Sequence, residues 1–216
     1  MEVAPAGLLE RAAALFAAGG VVLVVLVALS VAGLAIVIVK LVQFRRCRLG
    51  DRDFLAPAFE AMRERDVGRL HRALNGQPHP VAELLRRIAT YPKPDRAALD
   101  ADLEFRARAI LADLRRYLRF LEVIVQLSPL LGLLGTVLGM IEAFEALQAA
   151  GGRADPGLLA GGISKALVTT AAGLVIAIPA SAVLTLFEAR LDRLRQEMEG
   201  TVNHALDILE EGGGAA

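Results

Sequence analysis

Two apolar runs in the second half of the chain limit what it can fold into more than any other feature. They are Leu127–Glu142 (LSPLLGLLGTVLGMIE), with its flank back to residue 123, and Ala166–Phe187 (ALVTTAAGLVIAIPASAVLTLF). Neither holds a charge before its last residue. At about 1.5 Å rise per residue, helices of this length cross a hydrocarbon core of roughly 30 Å. Each run also carries a line of small and hydroxylated residues on a Leu/Val/Ile surface. On the first the line is Pro129, Gly132, Thr136, Gly139 and Ala143; on the second it is Ala166, Thr170, Gly173, Ala177 and Ser181. Steps of three and four put each line on one helical face. In lipid such faces turn toward protein or a narrow wet path, because small residues admit a neighbouring backbone and hydroxyls need partners.

A third run, Gly19–Val39, is equally free of charge. Its β-branched residues would suit a strand in water, but its length decides for a membrane helix. With Ser30 as its one hydroxyl and no regular small-residue line, it is expected to be the lipid-facing helix of the set. The fold class is therefore all-α, a membrane protein with three transmembrane helices. The spans are 19–39, 123–142 and 165–187.

Charge placement orients them. Lys40, Arg45, Arg46, Arg48 and Arg52 follow the first span, and segment 40–122 holds 18 Lys/Arg against 12 Asp/Glu. Basic residues mark the cytoplasmic side. That predicts a periplasmic N-terminus, a cytoplasmic 40–122, a short periplasmic connection at 143–164 and a cytoplasmic tail at 188–216. Arg190, Arg193 and Arg195, just past the third span, agree. Residues 1–18 are mildly amphipathic, with Leu8, Leu9, Ala12, Leu15 and Phe16 toward one side, and read as an interfacial helix. Glu2 and the missing basic start argue against a cleaved signal peptide.

Segment 40–122 reads as helical. Residues 51–74 carry helical apolar spacing, with Pro57 implying a first-turn start or a kink. GQPHP (76–80) and YPKP (91–94) frame a short helix at 81–90. From Asp95 to Ser128 no glycine or proline intervenes, which predicts one rod running into the second span. The third span likewise runs on past Phe187, with Leu191, Leu194, Met198, Val202 and Leu209 at helical intervals. These extensions predict a cytoplasmic helical bundle.

Composition excludes several classes. The 55% hydrophobic content is too high for a typical soluble domain, while 22% charged residues demand a sizeable wet part. The single cysteine, Cys47, rules out an internal disulfide framework. His71, His79 and His204 lack ligand spacing to one another or to Cys47, so no metal and no cofactor is expected. Acidic residues interspersed among Arg106, Arg108, Arg115, Arg116 and Arg119 speak against a nucleic-acid patch. There is no catalytic motif, and the chain is not expected to be an enzyme.

The stripes have two readings. Spacing of three and four serves plain helix packing, with Pro129 and Pro179 bending helices whose freed carbonyls neighbours satisfy. Packing is the plainer reading of the stripes alone; the other is a path lined by Thr136, Thr169, Thr170 and Ser181, with Ser128 near the inner end. Hydroxyls exchange hydrogen bonds but have no accessible pKa for holding a proton. If protons pass, the titrating carboxylate must come from another chain.

GLLGTVLGMI (132–141) followed by GISKALVTTAAGLVIAIPA (162–180) resembles the paired signature of the MotA/TolQ/ExbB proton-channel family, nearest the ExbB and TolQ branch. The three spans, the lysine ending the first span (Lys40), the cytoplasmic insertion and the charged tail match as well. The resemblance covers essentially the whole chain and is specific over 127–181. It implies a ring, thought to be a pentamer, in the bacterial inner membrane around an ExbD/TolR-like single-span partner whose aspartate carries the proton. Proton flow would drive rotation, and the partner would pass work to outer-membrane transport or the cell envelope. It implies Thr136 and Thr170, with Thr169 second to them, as route-lining residues; Thr136 and Thr170 both fall on the small-residue faces that spacing alone marks through Gly132, Gly139, Ala166, Gly173 and Ala177. Where such proteins often read G-I-x-E-A-L, this chain has Lys165, which inverts the charge of a functional glutamate and is open to pairing with a carboxylate of a partner or neighbouring subunit, or to gating entry differently. A non-conducting scaffold of the same fold is the other reading.

Overall fold

The computed structural model describes residues 8–91, 96–149 and 156–213, and among these every regular element is a helix. The helices are α1 (Leu8–Arg46), α2 (Leu55–Arg63), α3 (Val67–Leu74), α4 (Pro80–Thr90), α5 (Arg96–Arg115), α6 (Leu118–Ala149) and α7 (Pro156–Gly213). Parts of α1, α6 and α7 are long and apolar enough to cross a membrane. The all-α membrane architecture expected from the sequence is the one observed. The first seven residues, the centre of the expected 143–164 connection and the last three residues lie outside the described residues. So do the side chains on which the amphipathic face of residues 8–18 rests.

Two compact units are present. The first comprises residues 1–37 and 117–185, the three apolar helices. Within it α1 bends at Gly20, whose φ of 64° and ψ of −158° suit a residue without Cβ. Past the bend, Val22, Leu23 and Leu26 are buried, and Gly33 admits the Ile124 and Leu121 side chains of α6. The remaining surface stays apolar: Val21, Val31 and Leu34 on α1, Leu130 and Leu133 on α6, and Val175 and Ile178 on α7 are all exposed. Acyl chains, not water, suit such a surface.

The second unit comprises residues 38–116 and 186–216. Its core is aliphatic, built from Ala58, Leu74, Val81, Leu84, Leu85 and Leu191, none more than 1% exposed. The 51–74 stretch is two helices. Pro57 sits in the first turn of α2, as its chemistry allows. The break after Arg63 falls at Arg65 (φ 55°) and Asp66, whose carboxylate accepts the Arg69 N–H at 2.8 Å and caps α3. In sequence these charged residues look like helix surface, so the break is invisible there.

The expected rod from Asp95 into the second span is also interrupted. Residues 92–95 are not described; α5 ends at Arg115, and Tyr117 takes φ 70°, a left-handed conformation unusual for a bulky residue. The interruption has a tertiary cause in part. Lys40, 1% exposed, donates from Nζ to the Leu114 carbonyl at 2.9 Å and to Gln43 Oε1 at 2.7 Å. A cation at the carbonyl end of α5 meets both an orphan acceptor and the negative end of the helix dipole. Lys40 therefore closes a helix where the sequence reads as a boundary lysine.

His79 caps the start of α4: its Nδ1 accepts the Val81 N–H at 3.2 Å, which requires the neutral imidazole. Burial pushes its pKa below the ordinary value, with the Glu197 carboxylate partly opposing. Burial also raises the Cys47 thiol, with Asp113 adding and Lys40 opposing, so the protonated, unreactive form is favoured.

Two measurements follow from these buried groups. Lys40→Met leaves the Leu114 carbonyl without its ammonium partner and should cost about 1–3 kcal/mol in unfolding experiments in detergent. Because the folded pKa of His79 is depressed, its contribution to stability is present above the unfolded value of about 6.5 and is lost as pH falls below it. Thermal midpoints should drop across that window, and His79→Asn, which keeps a capping acceptor, should flatten the drop.

Candidate functional site

The site is the seam between α6 and α7 within the first unit. On α6, Ser128, Gly132, Gly135, Gly139 and Ala143 are buried; on α7, Ala166, Thr169, Gly173 and Ala177 are. The two helices run antiparallel with backbones almost in contact. A Cβ on Gly132 would stand 2.9 Å from the Thr169 carbonyl oxygen and from the Thr170 Cα. One on Gly139 would stand 2.8 Å from Ala166 Cβ, and one on Gly162, 2.6 Å from Ala143 Cβ. At Gly173 it would run into the Ser128 carbonyl, and at Gly135 into the Thr169 hydroxyl. Those distances exclude any side chain, so the glycines are required by approach.

Hydroxyl groups use the space thus opened. Thr170 Oγ donates across the seam to the Gly132 carbonyl at 2.9 Å. Thr169 Oγ, 1% exposed, lies 3.2 Å from that same carbonyl and 2.6 Å from the Ala166 carbonyl one turn back. Two α7 hydroxyls therefore converge on one α6 carbonyl. Thr136, by contrast, is half-buried and donates to Leu133 O of its own helix at 2.7 Å. Ser128, fully buried, does the same to Ile124 O at 2.6 Å.

The sequence-derived residues thus divide. Gly132, Gly139, Ala143, Ala166, Thr169, Gly173 and Ala177 are buried, and Thr170 reaches across the seam. Pro129 and Thr136 are half-buried beside it, and Pro179 and Ser181 are exposed. The α6 line in contact passes through Gly135 where the sequence stripe passed through Thr136. Gly135 and Gly162 were available in the sequence as further glycines at helical spacing.

At one end of the seam Lys165 Nζ lies 3.5 Å from Glu142 Oε2. A small cavity of about 120 Å³ extends from this pair, past Gly139, to Thr169 and Gly20. It is roomy and polar enough for water. Between Ser128 and Ile141, and between Ala166 and Phe187, the two helices carry no ionisable group. Between those bounds the seam can relay hydrogen bonds but has no group of its own to hold a proton.

The chain is similar in sequence to known proteins. The sequence model of the MotA/TolQ/ExbB proton channel family matches residues 76–200, more than half of the chain, and the chain belongs to this family. It is 49% identical over 87 residues to the biopolymer transport protein exbB1 of Vibrio cholerae, covering 40% of this chain and 38% of that one. It is 28% identical over 189 residues to a putative biopolymer transport protein, ExbB-like 3, of Synechocystis, covering 86% and 90%. It is 37% identical over 90 residues to the Tol-Pal system protein TolQ of Haemophilus influenzae, covering 42% and 39%. The chain thus spans about two fifths of the length of the Vibrio and Haemophilus relatives. With its three apolar helices it is a multi-pass membrane protein.

The seam geometry sets a test. Gly173→Ala places a methyl against the Ser128 main-chain carbonyl, which cannot swing aside, and should lower stability by about 1–3 kcal/mol. Gly161→Ala, where a Cβ meets nothing within 4 Å, should be neutral or slightly stabilising. Thermal unfolding of the detergent-solubilised protein distinguishes the two.

Proposed function

We propose that the chain is an ExbB/TolQ-like subunit of a proton-driven motor in the bacterial inner membrane. In this reading several copies, five by the family's pattern, surround an ExbD/TolR-like single-span partner. The partner's aspartate takes up and releases the proton, and the work goes to outer-membrane transport or to the cell envelope. The N-terminus is periplasmic; segment 40–122 and the C-terminal tail are cytoplasmic, by the distribution of Lys and Arg.

The observation that carries the reading is a close-packed, hydroxyl-bearing seam without a titratable group between its Lys165–Glu142 end and Ser128, in a chain of the proton channel family. Thr170 is the residue best placed for the route, since its hydroxyl is half-buried and already exchanges a hydrogen bond between helices. Thr136, whose hydroxyl donates to Leu133 within α6, keeps acceptor capacity for a group arriving from outside the seam. Thr169 is buried, and its hydroxyl sits between two main-chain carbonyls, which suits holding the seam more than relaying. Lys165 pairs with Glu142 of the same chain, so its charge is offset locally and the mouth of the cavity is overall neutral. That pairing, in place of a lone carboxylate, is what favours the second reading, a non-conducting scaffold.

The experiment is proton flux into vesicles that hold this chain together with its single-span partner. Thr136→Val and Thr170→Val should each abolish flux while leaving assembly intact on size-exclusion chromatography. Full flux in both variants would remove the assigned route. Flux from the unaltered pair no higher than with a partner Asp→Asn variant would establish the scaffold instead.

A further inference from the structure

The second unit contains a concavity that the seam does not explain. It has a volume of about 440 Å³ and lies where α1 leaves its apolar run, against the α7 residues just past Phe187. Five arginines line it: Arg45, Arg48 and Arg52 at the end of α1 and just beyond, and Arg190 and Arg193 on α7. The one carboxylate in its wall, Glu197, is already taken by Arg52 in a two-pronged pair at 2.9 and 3.2 Å. Arg48 reaches Asp51 only at 3.8 Å. Among the described residues, Arg45, Arg190 and Arg193 have no carboxylate within ion-pair distance.

The walls are fixed. The Phe44 and Phe187 rings pack 5.2 Å apart and hold α1 against α7, and the Arg52–Glu197 pair joins the two sides of the lining. The rest of the lining is largely apolar, with Leu41, Phe44, Leu49 and Leu194. Guanidinium groups gathered around one concavity repel one another unless an anion sits between them, and their planar donors match phosphate oxygens in pairs. An apolar lining continuous with a membrane-crossing helix is of no use to a free inorganic anion. It suits the glycerol and upper acyl carbons of a lipid whose phosphate sits among the arginines.

We propose that this groove binds the headgroup of an anionic phospholipid from the leaflet at the Arg45 end of α1. Basic pockets between membrane helices are the usual seat of such headgroups. The occupant joins α1 to α7 through a shared anion and offsets charge that no protein carboxylate meets. The inference uses only the second unit and does not depend on proton conduction.

The test is native mass spectrometry of the full chain in mild detergent, titrated with phosphatidylglycerol or with phosphatidylcholine. Phosphatidylglycerol should bind in preference, and excess inorganic phosphate should leave it in place. Arg190→Gln with Arg193→Gln should weaken phosphatidylglycerol binding roughly ten- to thirtyfold. Arg63→Gln with Arg72→Gln, which removes equal charge elsewhere in the unit, should leave it unchanged. Equal binding of the two lipids, or an unchanged affinity in the Arg190/Arg193 variant, would overturn the proposal. Displacement of the lipid by inorganic phosphate would do so as well, by making this a free-phosphate site. If the variant fails to fold, the lipid contrast and the phosphate competition on the unaltered chain decide alone.

Discussion

The near-contact of the α6 and α7 backbones is the constraint on which the membrane unit rests. Inside a bilayer no water relieves an unmet polar group, so hydroxyls must find partners within the protein. Gly132, Gly139 and Gly173 bring the helices close enough for the Thr170 hydroxyl to reach a main-chain carbonyl on the other helix. The same closeness excludes side chains that could carry charge. Hydroxyl lining and absence of titratable groups are thus two consequences of one packing decision.

The other unit solves a different problem, that of holding charged helices together. It does so with a few placed ions. Lys40 sits on the open end of α5, and Arg87 and Arg106 share Asp102, whose pKa they hold below the usual carboxylate range, Arg87 contributing most. Arg52 takes Glu197 in two prongs. Most remaining pairs lie on exposed surface, where ion pairs contribute little. Among the described residues, three arginines without an ion pair, Arg45, Arg190 and Arg193, share one groove, which is why that groove, rather than the salt bridges, carries functional interest.

Much of the architecture was legible because its causes are local. Three charge-free runs, the first-turn Pro57 of α2 and the short helix after the GQPHP connector each carry their signal within a few residues. The breaks at Arg65 and Tyr117 were not legible, since neither involves glycine or proline. The second depends on a lysine 74 residues away from the carbonyl it meets. On α6 the stripe through Thr136 and the line through Gly135 satisfy helical spacing equally well. Only the neighbour's position selects Gly135, because the two residues sit about 100° apart around the axis. Lys165 could be seen to invert a family charge, but that Glu142 answers it is a fact of register between two helices.

The sequence by itself therefore determined an all-α membrane protein with three spans, its family, and the hydroxyl-bearing, carboxylate-free character of two of them. Those properties follow from composition along single helices, where each residue reports on its own surroundings. Tertiary structure decided which hydroxyls meet, which glycines are obligatory, where the long helices stop, and which arginines go without partners. Each of these depends on contacts between residues tens of positions apart, whose distances no periodicity along one helix encodes.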